Sequence, residues 1–178
     1  MHHFLDVGAN EGQTFEYLVA RRNEFEDSTI WCFEPSPRSV PRLITRARAM
    51  PFKTHICNFG LLGQTRSQRF LMMKTGSTAD SFEPALGPAE EEVFAFGQDI
   101  VDWITDNIPP DDTFAIKLDC EGSEYEILER LITAPHLVQR ITCLLVEFHN
   151  IGPDSARRET NLKAQYAGHG VPIQPWLY

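Results

Sequence analysis

An apolar run, Phe4-Leu5-Asp6-Val7, opens directly into Gly8-Ala9-Asn10-Glu11-Gly12. A buried strand feeding a Gly-x-x-x-Gly turn and then a helix leaves few folds open, and those it leaves place a ligand against the turn. Glycine at 8 and 12 removes the Cβ atoms that would hold a ligand off the backbone. The Asp6 carboxylate, at the strand end, accepts hydrogen bonds only, which suits a ligand with an ammonium group. Asn10 stands where a dinucleotide fingerprint needs a glycine, so no pyrophosphate grip is expected and a nicotinamide oxidoreductase is disfavoured.

A second strand signal, Thr29 to Phe33, ends in Glu34-Pro35-Ser36-Pro37. An acid here, about 20 residues beyond the turn, is where a ribose diol is held, because a carboxylate accepts from both hydroxyls. Asp6, Gly8, Asn10, Gly12 and Glu34 together outline a site for an adenosine with an amino-acid tail, as in S-adenosyl-L-methionine. A third strand, Lys53 to Asn58, makes Asn58 and Phe59 candidates for the edge and face of the base. The alternative is an open α/β sheet that binds another nucleotide, or none.

The 178 residues, 42% of them hydrophobic, fit a single domain over residues 1–178. A net charge of −9 opposes non-specific binding to a phosphate backbone, so no nucleic-acid partner is expected. An amino-methyltransferase of nucleic acids would also need an Asn/Asp-Pro-Pro-aromatic loop after the fourth strand, and Asp119-Cys120-Glu121-Gly122 has no proline. No apolar run approaches the roughly 20 residues of a membrane span and no signal core is evident, so a cytoplasmic protein with no membrane partner is expected. Cys32, Cys57, Cys120 and Cys143 lack CxxC spacing and read as buried free thiols.

Helical spacing follows the turn from Thr14 to Asn23 and again from Pro37 to Ala49, where Arg38, Arg42 and Arg46 form a solvated stripe. Residues 66–97 break the rhythm and read as an inserted hairpin or flap; Phe59 to Gln64 before them reads as turns. A short helix over Asp99 to Asn107 precedes a fourth strand, Phe114 to Asp119, and its helix. A fifth strand, Ile141 to Val146, ends in Glu147-Phe148-His149-Asn150. A helix, Ser155 to Ala167, and a final strand segment, Val171 to Tyr178, complete the chain. Alternating β and α with near-continuous apolar strands predicts an α/β, Rossmann-like, doubly wound and mostly parallel sheet. Little chain precedes the first strand and the C-terminal part is short, as in a sheet cut at both ends.

Asp6, Glu34, Asp119 and Glu147 fall at strand ends on the ligand-binding rim. Crowding Asp119, Glu121, Glu124 and Glu147 there requires a cation: Lys117, a ligand sulfonium, or a divalent ion. Glu121 or Glu124 equally fits a helix-capping role. Methyl transfer to a hydroxyl needs a base, for which Asp119 and His149 are candidates, with Glu147 and Lys117 as further catalytic groups; His149 fits equally a loop-tethering role. Asp119, Glu147 and Asn150 could hold Mg²⁺, although no ligand spacing is diagnostic and no metal is favoured.

Asp6-Val-Gly-Ala-Asn-x-Gly12, Phe33-Glu34-Pro35-x-Pro37, Ile116-Lys117-x-Asp119-x-Glu121-Gly122-x-Glu124 and Val146-Glu147-Phe148-His149 together resemble the FkbM-type family of class I S-adenosylmethionine-dependent methyltransferases. The resemblance covers Phe4 to Asn150. It implies a seven-stranded Rossmann-like fold and methylation of oxygen on sugars, polyketides or other small molecules. It also implies donor contacts from Asp6, Gly8, Asn10, Gly12 and Glu34, and an active-site rim of Asp119, Glu121 and Glu124, with Ser77 and Ser81 on a serine-bearing loop. A non-catalytic nucleotide-binding or regulatory module on the same fold is the competing expectation.

Overall fold

A computed structural model describes residues 2–73, 80–83 and 89–177. Its central sheet has six parallel strands in the order β3-β2-β1-β7-β8-β9: β1 His2–Val7, β2 Ser28–Phe33, β3 Lys53–Cys57, β7 Thr113–Leu118, β8 Ile141–Val146 and β9 Ile173–Pro175. This is a Rossmann-like α/β arrangement. The resemblance implies a seventh strand, which is absent among the described residues, and the last segment joins the sheet as β9, parallel to β8.

Both faces of the sheet are covered, which is why its strands read as continuous apolar runs. Side chains alternate along β1, so Leu5 and Val7 enter one core while Phe4 enters the other. The first core receives α4 (Ile100–Asn107), α5 (Glu124–Leu131) and α7 (Ser155–Gly168) through Trp103, Ile127 and Leu162. The second receives α1 (Thr14–Ala20) and α3 (Val40–Ala47) through Phe15, Leu18 and Leu43. Two short helices, α2 (Arg22–Phe25) and α6 (Pro135–Val138), complete the helical set of the described residues. The arginines of α3 stay at the surface, where Arg42 pairs with Glu11, Arg46 with Glu16, and Arg38, just before the helix, with Glu91.

The irregular segment, joined by residues just before it, builds a second sheet of three strands, β4-β6-β5. β5 (Arg66–Met72) and β6 (Glu91–Asp99) pair antiparallel from Arg66↔Gly97 to Met72↔Glu91. Gly60–Leu62, read from sequence as turn, is instead β4, parallel to β6. Three residues are too few to carry an alternation signal, and β4's partner lies far along the chain.

No helix among the described residues is long and apolar enough to cross a membrane.

Candidate active site

A cavity of about 250 Å³ opens where β1, β2 and β7 end, the switch-point position for a ligand in such a sheet. Gly8, Asn10, Glu34, Asp119, Glu121 and Glu147 line it, so members of both sequence-predicted sets of residues share one space.

Glu34 is fixed before any ligand arrives. The Asn10 amide donates to its Oε2 and the Ser36 amide to its Oε1, both at 2.7 Å. Each oxygen keeps a further lone pair for a ligand hydroxyl. Burial pushes the carboxyl up to about 7, against the two amides that favour its charged form.

Asp6 lies behind the cavity, not on it. It is 0% exposed, and its Oδ1 receives Lys117 Nζ at 3.1 Å and Thr14 Oγ1 at 3.1 Å. Asp6 and Lys117 are register partners on neighbouring parallel strands, so their side chains leave the same face side by side. Lys117 is itself 2% exposed; Nζ donates to the Gly8 carbonyl at 2.7 Å and also approaches Asp119 Oδ2 at 3.4 Å. The ammonium thus hydrogen-bonds the Gly8 carbonyl and forms ion pairs with both carboxylates. Burial would lower its pKa, but Asp6 and Asp119 outweigh that and raise it. Lys117 is therefore a clamp between the turn and β7, and a group held charged in this way is no base at neutral pH.

The glycines also have a packing role. A Cβ on Gly8, at φ +78°, would lie 1.8 Å from the Asp119 carbonyl oxygen, and one on Gly12, at φ +89°, would lie 2.7 Å from the Phe15 ring. Gly8 lets the turn lie against the backbone that follows β7, while Gly12 makes room for the Phe15 ring and does not line the cavity. Gly8→Ala is expected to cost at least about 3 kcal/mol in urea denaturation, because strain and overpacking coincide there. An unchanged midpoint would contradict this close approach.

Asn58 is exposed and Phe59 packs against Phe33 and Phe96, so neither lines the cavity. Gly60 and Leu61, the start of β4, line it instead. Ser81 donates from Oγ to the Glu121 carbonyl at 2.6 Å and so supports the rim, while Ser77 lies outside the described residues.

On the acidic side, Glu124 is fully buried and does not line the cavity; it ties two loops together. Its Oε2 accepts from the Gly122 amide at 2.8 Å and its Oε1 from the His149 amide at 2.6 Å, with His149 Nδ1 3.2 Å from the same Oε1. His149 Nε2 then faces Glu121 Oε2 at 3.3 Å and Asp119 Oδ1 at 3.9 Å. Burial would lower the imidazole pKa, but Glu124, Glu121 and Asp119 push it up to about 9. Burial raises Glu121 to about 7, and burial with Asp119 raises Glu147. Asp119, Glu121 and His149 can bring three ligand atoms within 4.8 Å of one another. The set Asp119, Glu147 and Asn150 considered from sequence does not assemble: Asn150 is exposed and its Oδ1 accepts from the Gly152 amide.

Sequence reasoning missed the remaining wall. Asp80 accepts from Ser36 Oγ at 2.7 Å and from the Met73 amide at 2.8 Å, while Phe70, Phe82 and Trp176 supply apolar surface. Trp176 comes from the far end of the chain and its ring centroid lies 5.8 Å from Lys117 Nζ. No motif or periodicity marks these residues.

No family model matches the chain, and neither a curated protein nor a solved structure matches it.

Proposed function

We propose that the chain is an S-adenosyl-L-methionine-dependent O-methyltransferase of the FkbM type, acting on a hydroxyl of a small molecule, sugar or glycan. The observation that carries this reading is the cavity shared by Glu34, with its two oxygens oriented by backbone amides, and the carboxylates Asp119, Glu121 and Glu147. Glu34 accepts the ribose hydroxyls of the donor, and the negative rim favours its sulfonium and ammonium groups.

Transfer breaks the S–CH₃ bond and forms O–CH₃ in line, leaving a neutral thioether, so alignment supplies much of the rate. The acceptor hydroxyl gives its proton to a cavity carboxylate. His149, tied through its amide and Nδ1 to Glu124 and facing Asp119 and Glu121 with Nε2, orients the rim.

Thermal shift with S-adenosylhomocysteine, then transfer of a labelled methyl group to a panel of hydroxyl compounds and cell extracts, tests the proposal. Stabilisation with labelled product is the expected result. Stabilisation without product would leave a donor-binding module, and neither would remove the assignment.

A further inference from the structure

We propose that Asp119, Glu121 and His149 form a binding site for a divalent transition-metal ion at the edge of the cavity. One oxygen from each carboxylate and one ring nitrogen lie within 4.8 Å of one another, a spread that an ion with ligand bonds of about 2.0–2.2 Å can span.

The imidazole is presented as metal-ligating histidines are. Its Nδ1 and its backbone amide both engage Glu124 Oε1, so a buried carboxylate fixes the ring while Nε2 faces Asp119 and Glu121. The Glu124 carboxylate is in turn held by the Gly122 amide. Glu121 sits at φ +52°, and Ser81 secures its carbonyl, so the chain holds this side chain in a backbone conformation that a glutamate seldom adopts.

An independent observation points to a ligand in the same space. Ser123 is 1% exposed, its hydroxyl has no hydrogen-bond partner, and it lines the cavity together with Asp119 and Glu121. Buried hydroxyls normally find a partner, and a ligand held in this part of the cavity would supply one.

Two carboxylates and an imidazole suit Mn²⁺, Fe²⁺, Co²⁺ or Zn²⁺ better than Ca²⁺, which prefers oxygen throughout. Three protein ligands leave positions open toward the cavity. An acceptor hydroxyl placed there would lose its proton more readily, to Glu147, the cavity carboxylate outside the triad. That last consequence rests on the methyltransferase reading; the ion site does not.

The test is titration of the metal-stripped full chain with MnCl₂, following free Mn²⁺ by electron paramagnetic resonance. One site per chain is expected, weakened at least about tenfold in both Glu121→Gln and His149→Ala and unchanged in His2→Ala. Circular dichroism checks folding, and Asp119→Asn substitutes for either variant that does not fold. No saturable binding at millimolar Mn²⁺, or an affinity within twofold of wild type in either variant, would overturn the site. Calorimetry with S-adenosylhomocysteine on the same samples separates the two proposals: retained nucleoside binding without Mn²⁺ binding sinks the ion site alone.

Discussion

Lys117→Met is expected to destabilise the fold by about 3–5 kcal/mol in urea denaturation, because it leaves the Asp6 charge buried without its partner. Asp6 is fully buried, and one of its oxygens already lacks a hydrogen bond, so no solvent can replace the ammonium. The same substitution frees the Gly8 carbonyl, which holds the turn against β7. Adding Asp6→Asn to Lys117→Met should restore part of the loss, since contacting residues couple by about 0.5–3 kcal/mol. A Lys117→Met protein that melts like wild type but turns over slowly would show a lysine working in chemistry and not as a clamp.

Glu34→Gln is expected to weaken S-adenosylhomocysteine binding roughly 100-fold by calorimetry. Two hydrogen bonds from ribose hydroxyls to a carboxylate are together worth about 3 kcal/mol. The pH dependence gives an independent signature. Burial pushes the Glu34 carboxyl up to about 7, so below that pH the free protein holds a proton that the diol must displace. Affinity should therefore fall as pH drops below about 7, by up to about tenfold per unit, and level off above it, whereas the Gln variant should not show this step. A wild-type profile that is flat across this range, or an unchanged affinity in the variant, would remove Glu34 from the donor site.

The central strands were legible because they are buried on both faces and so appear as near-continuous apolar runs, with β2, β7 and β8 each stopping at an acid. Stops of that kind also located Glu34, Asp119, Glu121 and Glu147 on one rim. What the sequence leaves open is facing and register. Alternation along β1 puts Asp6 on the Phe4 face, but only the register Asp6↔Lys117, between strands more than a hundred residues apart, turns two expected site residues into a buried clamp. A one-residue slip would send them to opposite faces. Gly8 is required by the Asp119 carbonyl, a contact between remote segments that a motif cannot disclose. The cavity wall of Asp80, Phe82 and Trp176 depends on the second sheet and the C-terminal strand, whose placement no local pattern encodes.

The most direct measurement is a crystal structure of the chain with S-adenosylhomocysteine. The account predicts ribose hydroxyls on Glu34, the turn from Gly8 to Asn10 against the nucleoside, and the sulfur facing Asp119 and Glu121. Density for the nucleoside elsewhere, with Glu34 still bound only to the Asn10 and Ser36 amides, would contradict it.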